Sequence, residues 1–157
     1  MIALLDNTVL SNFSAVNRPD LVRLALGEKA ATVEQAFAEL QAGIRLKRLP
    51  PCDWSWLPVL HLTESERTLY NHLLEHLNEG EAACLAVAYT RGYRVFTDDR
   101  DARGIALQMR IPISGTIGLL VRLVDRGNLS LAEANTLLRR MIDLGYRSPI
   151  ARLEEIV

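Results

Sequence analysis

The sequence predicts an α/β fold in which helices cover both faces of a parallel sheet. Two observations carry this expectation. Short runs of apolar and β-forming residues alternate with longer helical segments along the 157 residues, which is the pattern of strand–helix–strand units. The helical segments are also bracketed by start and stop signals, so the alternation is real punctuation and not a drift in composition. Connections between such parallel strands are right-handed. The length suits one domain, residues 1–157, with a full-sized core.

The elements follow in order. "IALLD" reads as a short buried strand that ends at Asp6. "TVLSNFSAV" and "PDLVRLAL" read as helical, the second opened by Pro19. "KAA" suggests a second strand, and Thr32 with Gln35 reads as a capping box for a helix through about Arg45. "RLPPCDWSWLP" is a proline-broken connection. Capping boxes at Thr63–Glu66 and Asn78–Glu81 open two further helices, and Gly92 ends the second. "YRVFT" is a strand, "RDARGIALQMR" a helix and "IPIS" a short strand. "IGLLVRLVDR" is a helix stopped by Gly127, and Ser130–Glu133 caps a last helix that ends near Gly145.

Composition narrows the function classes. The net charge of −1 supplies no global field. A nucleic-acid partner must therefore be met by a local basic patch or through metal ions. Lys29 and Lys47 are the only lysines, so the positive charge is nearly all arginine. That suits bidentate phosphate contacts, and it fits a genomic bias equally well. Cys52 and Cys84 form no metal or disulfide pattern. The opening residues do not read as a signal segment, and no apolar run is long enough to cross a bilayer, so a cytoplasmic protein with no membrane partner is expected.

The acidic residues carry the chemistry. In an open α/β sheet, ligands bind outside the carboxyl ends of the strands. Asp6 ends the first strand, and Asp98 and Asp99 follow "RVFT". If the two strands are parallel neighbours, these acids meet at one edge. Glu39 lies in a helix among small or short neighbours, and Glu81 lies in the first turn of its own helix. Each acid also has a plainer explanation. Asp6, Asp98 or Asp99 would serve as helix caps, Glu81 is explained by its capping box, and Glu39 suits a solvated helix surface. Taken together they fall where one crevice would collect them. Carboxylates that close need a cation, and oxygen ligands suit Mg²⁺ or Mn²⁺. His72 and His76 have helical metal-pair spacing, but no third ligand accompanies them, and an exposed face explains them better. Arg100 and Arg103 either relieve this negative charge and touch phosphate, or pair with Asp101 or Glu81.

Four segments together, "LLDNTVLSNF", "FAELQAG", "NEGEAACLAVAYTRGYRVFTDDRDAR" and "ISGTIGLL", resemble the PIN-domain family, and in particular its small prokaryotic VapC-type toxin-like members. The resemblance implies a three-layer α/β/α fold with a short, mainly parallel sheet. It also implies a metal-dependent nuclease, mostly acting on RNA, that is the toxin of a toxin–antitoxin pair. Carried over residue by residue, Asp6, Glu39, Glu81 and Asp99 match the family's four acids. Asp6, Glu81 and Asp99 would hold Mg²⁺ or Mn²⁺, with Asp98 an adjacent candidate. Thr8 matches the hydroxyl two places after the first acid, and Thr97 and Thr116 sit near the same edge. Glutamate at position 81 and the Asp98–Asp99–Arg100 run depart from the common pattern.

The resemblance further implies an RNA substrate, a small antitoxin protein as partner, and a homodimer. Trp54, Trp56 and Leu57 in the proline-rich connection suggest spare apolar surface for such a dimer. Two other classes compete. A dehalogenase-type phosphatase lacks its second aspartate in "DNTVL". A non-catalytic PIN-like module that only binds nucleic acid or protein remains the alternative.

Overall fold

The computed structural model describes Met1–Val157. Its sheet has five strands: β1 (Ala3–Leu5), β2 (Ala30–Val33), β3 (Val59–Leu60), β4 (Arg94–Phe96) and β5 (Ile113–Ser114). They lie in the order β3-β2-β1-β4-β5, and every pair is parallel. Between and after them run α1 (Asn7–Ala15), α2 (Pro19–Leu26), α3 (Glu34–Arg45), α4 (Glu64–Leu73), α5 (Glu79–Arg91), α6 (Arg100–Gln108), α7 (Thr116–Asp125) and α8 (Leu131–Asp143). This is the three-layer α/β/α arrangement. No helix is long and apolar enough to cross a membrane.

Alternation along the short strands builds both outer layers. Ala3, Leu5, Ala30 and Phe96 join one buried cluster with residues of α1, α2, α7 and α8. Leu4, Ala31, Val33 and Val95 join the other with α4, α5 and α6. The central strands are covered on both faces, so their side chains are apolar apart from Thr32 in β2 and Arg94 at the start of β4. In α5, Gly80 through Ala88 are all buried. Its small residues let the helix lie close against the sheet and against α3 and α4.

Three of the four expected capping boxes form, at Thr63–Glu66, Asn78–Glu81 and Ser130–Glu133. The fourth does not. Thr32 is in β2 and fully buried, and its hydroxyl donates to the Leu5 carbonyl at 2.7 Å across the sheet. Helix α3 starts at Glu34 with Val33 as an uncapped N-terminus. The hydroxyl is fully buried there and needs an acceptor, which the Leu5 carbonyl of the neighbouring strand supplies, so none is left for a cap on α3.

The connection before β3 also differs from expectation. Trp54 and Leu57 are 3% and 4% exposed and belong to the first core cluster, with Trp56 packed against it. The Trp54 indole N–H donates to the Ser14 hydroxyl at 2.9 Å. The apolar surface expected to be spare is therefore part of the core. β3 itself is two residues long and follows Pro58, too short for any periodicity to reveal it.

Candidate metal centre

The centre forms because β1 and β4 are parallel neighbours. Leu5 pairs with Phe96, so the residues after each strand emerge side by side. Asp6 and the run Thr97–Asp98–Asp99 leave the same edge of the sheet, as ligand sites in open α/β sheets require.

Asp6 is 1% exposed. It occupies the N-cap position of α1, yet its side chain makes no cap hydrogen bond. Its Oδ2 instead accepts from the Thr97 hydroxyl at 3.0 Å and the Thr8 hydroxyl at 3.1 Å. Oδ1 is buried and forms no full hydrogen bond, the backbone N–H groups of Asn7 and Thr8 giving the carboxylate only weaker support. Burial pushes this carboxyl above its ordinary range, against the opposing hydrogen bonds from Thr97 and Thr8. A buried carboxylate oxygen without a partner is costly, and a cation is one partner that would satisfy it.

The two adjacent aspartates are placed differently. Asp98 is tied down through both oxygens. Oδ1 accepts from the Thr116 backbone N–H at 2.9 Å, and Oδ2 accepts from the Thr116 hydroxyl at 2.5 Å and the Asn12 amide at 3.0 Å. Asn12 also donates to the Thr116 hydroxyl at 3.1 Å. Gly115 makes this approach feasible, since a Cβ there would run into Asp98 Oδ1 and lie 3.1 Å from the Thr97 carbonyl. Asp99 caps α6, with Oδ2 accepting from the Ala102 N–H at 2.9 Å. No hydrogen bond engages its second oxygen. The cap explanation and the ligand explanation therefore coexist at Asp99, one on each oxygen.

Glu39 and Glu81 complete the crevice. Glu39 reaches across from α3, and its Oε1 accepts from the Gly80 N–H at 2.8 Å. Gly80 is required here, because a Cβ would fall 2.6 Å from that oxygen and 3.1 Å from the Ala36 Cα. Asn7 approaches the second oxygen at 3.5 Å. Glu81 is buried in its capping box with Asn78. Its pKa is pushed up to about 7 by burial and by the negative charges of Asp6 and Asp99. Glu39 is raised as well, first by burial and further by Asp6. These mutual shifts are the electrostatic mark of acids sharing one space.

Oxygen donors of this kind fit a hard divalent cation, and the unpartnered Asp6 oxygen points to the same class of ligand. Asp6 and Asp99 have oxygens free to hold it, with Glu81 close enough to feel both charges. In the present arrangement no three acidic, histidine or cysteine side chains are gathered tightly enough to enclose one ion. The reason is visible in the hydrogen bonds: Asp98, Glu39 and Glu81 are each drawn towards backbone or amide donors.

Beside the acids lies a cavity of about 1060 Å³, lined among others by Thr8, Asp98, Asp99, Arg100, Arg103 and Tyr146. Arg103 donates to the Thr97 carbonyl at 2.8 Å. Neither it nor Arg100 forms the ion pair with Asp101 or Glu81 that the sequence left open. His72 and His76 are exposed and lie apart from this site. Asn12 was missed in the sequence. Its signal is the i, i+4 spacing from Thr8, which places both polar groups on one side of α1. Tyr146 and Arg147 were also missed, and nothing local marks them, because the chain beyond α8 has to fold back to bring them here.

Comparison with known proteins agrees with this architecture. A family model for the PIN domain matches residues 2–157. The crystal structure of PAE2754 from Pyrobaculum aerophilum superposes with a TM-score of 0.56 at 22% identity, covering 80% of this chain and 90% of that one. At that identity the likeness speaks for the fold. No curated protein matches the sequence. The match of the PIN-domain model along almost the whole chain, on a parallel sheet with four acids at one edge, shows that the chain belongs to the PIN-domain family.

Proposed function

We propose that this chain is a metal-dependent endoribonuclease that hydrolyses phosphodiester bonds in single-stranded RNA. PIN domains are usually nucleases, and that coarser statement follows from membership of the family. The single observation that carries the finer reading is Asp6, a buried carboxylate with one oxygen unpartnered and with Glu39 and Glu81 raised in pKa around it. In this reading Asp6 and Asp99 are the main ligands of Mg²⁺ or Mn²⁺, and Glu81 completes the set directly or through water. A bound divalent cation supplies charge relief on the phosphoryl oxygens and a more acidic water. Glu39, held by Gly80, orients water. Thr8 and Thr97 hold Asp6 in place through its Oδ2, and Thr116 with Asn12 holds Asp98, which acts as a brace for the loop after β4.

The proposal extends to a cytoplasmic toxin that works as a homodimer and is neutralised by a small antitoxin protein. Finding a small neighbouring reading frame with a DNA-binding pattern would support it. The second reading is a PIN-like module that binds nucleic acid or protein without cutting it. The donors that already engage Asp98, Glu39 and Glu81 are the observation that favours it.

Cleavage assays decide between the two. The wild type is expected to cut RNA with manganese and to stop with EDTA. Asp6→Asn and Asp99→Asn should each lower the rate by at least ~10²-fold. Glu39→Gln should cost less, and Thr8→Val about 10-fold. If both aspartate variants, purified identically, cut as fast as wild type, the activity belongs to a contaminant and the binding-module reading takes its place.

A further inference from the structure

We propose that the groove between β4 and α7 is a second phosphate site, which holds a backbone phosphate of single-stranded RNA away from the acidic centre. The identity of the ligand rests on the nuclease reading; the groove's geometry stands apart from it. A cavity of about 370 Å³ lies there, lined by Arg94, Arg122 and Arg126 against one acid, Asp125. Asp125 forms no ion pair with any of them. The Nε atoms of Arg94 and Arg122 are both buried and have no acceptor. Arg126 spends one donor on the Ala25 carbonyl at 3.0 Å. The Arg94 guanidinium lies 4.9 Å over the Phe96 ring, which holds its plane. Two guanidinium groups without acidic partners, in a concave setting with a positive balance, present terminal N–H donors of the planar kind that phosphate oxygens accept.

The groove is also continuous with the centre. Ser114 and Gly118 line both this cavity and the larger one beside Asp98 and Asp99. Gly118 keeps the passage between them low, since a Cβ there would collide with the Ser114 hydroxyl. A strand with its scissile phosphate at the acids has a direct path over Ser114 and Gly118 to the arginines. The acids repel phosphate until a cation is bound, whereas the groove does not, so its contribution to binding is independent of metal.

The test compares wild type, Arg94→Gln, Arg122→Gln and the double variant, with Arg67→Gln on α4 as a control. Affinity for a single-stranded RNA of about 12 nucleotides is measured in EDTA at several salt concentrations, and each arginine removed should flatten the log–log salt slope by about 0.7. Each single Gln variant should bind roughly 10-fold more weakly, as loss of a charged phosphate contact does, while the control is unchanged. In manganese, KM for the same RNA should rise with kcat unaltered. A dinucleotide, which has one phosphodiester and cannot fill both sites, should be cut by the variants as by the wild type. Arg94→Lys and Arg122→Lys serve if a Gln variant does not fold; they should keep the salt slope and still lose affinity, because lysine lacks the fork. Wild-type affinity and slope in the Gln variants overturns the groove, as does failure of the wild type to bind the RNA in EDTA. Inorganic phosphate that binds as tightly as the RNA, and is lost in the same variants, makes it a free-anion site and overturns the RNA path. A wild type that cuts RNA beside unaffected groove variants removes the groove and leaves the nuclease reading standing. Weakened binding beside Asp6→Asn cleavage at the wild-type rate does the reverse.

Discussion

Adjacent aspartates do different work here because their surroundings differ. Asp98 has donors on both oxygens and is spent on fixing the start of α7. Asp99 keeps one oxygen free beside its cap. Asp6 is buried more deeply than either and has an oxygen without a partner. The cost of this arrangement is readable at Glu81. Its pKa rises from an ordinary 4.5 to about 7 through burial and the charges of Asp6 and Asp99, so the folded protein holds the proton more tightly than the unfolded chain. The resulting penalty on the native state is absent below pH 4.5, grows as pH rises and is complete above about 7. Glu81→Gln keeps an acceptor for the Asn78 N–H and removes the charge. Without metal it should be more stable than wild type at pH 8, by roughly 1–2 kcal/mol, and level with it near pH 4.5. Thermal melts across that range check this, and a constant difference would show that charge is not the cause.

Element junctions decide whether these residues meet. Helices α3 and α5 touch where Gly80 admits the Glu39 carboxylate, so a glycine at the start of one helix sets the position of an acid on another. Gly80→Ala should destabilise the protein by about 1–3 kcal/mol, the usual range for overpacking, because one of the obstructing atoms is the Ala36 backbone. It should also lower cleavage more than Glu39→Gln does, since the Cβ displaces the carboxylate and disturbs α5 at Glu81 in the same step. Denaturant titration and rate measurements on the two variants check the order. On the far side of α5, Arg91 pairs with Glu66 of α4 at 2.8 Å. Hydrogen bonding from Arg91 holds this carboxyl below its ordinary range. That contribution is present above the unfolded pKa and is lost as pH falls through the lowered one. The α4–α5 contact should therefore loosen in acid while the centre, with its raised acids, does not.

At the scale of the whole molecule, the proline-rich connection is a core element. Trp54 and Leu57 face inward, and the Ser14 hydroxyl takes the indole N–H. The homodimer proposed above therefore has to use other surface. Leu24, Leu46, Tyr89, Leu107 and Leu144 are exposed, on or just beyond the ends of five different helices, and exposed apolar residues scattered singly are ordinary. The expectation of a dimer thus rests on the resemblance alone. Light scattering at high micromolar concentration should give twice the chain mass of 17.6 kDa, and a monomer mass there would remove the dimer.

Local features were legible along the chain. Parallel strands buried on both faces show as short apolar runs, and three helix starts show as capping boxes that need only four consecutive residues. Tertiary structure decided what depends on neighbours distant along the chain. The sequence placed Asp6 and Asp99 at strand ends, but only the pairing of β1 with β4 put those ends together. Thr32 carries a cap signal, yet a carbonyl 27 residues away in sequence claims its hydroxyl. Tyr146 and Arg147 reach the cavity only after α8 turns the chain back. Likewise, Arg94 and Arg122 are 28 positions apart, and nothing near either one predicts the other. Local signals survive in a linear reading because the groups that satisfy them are a few residues away; a binding site is assembled by loop closure between distant segments, which only the packed core fixes.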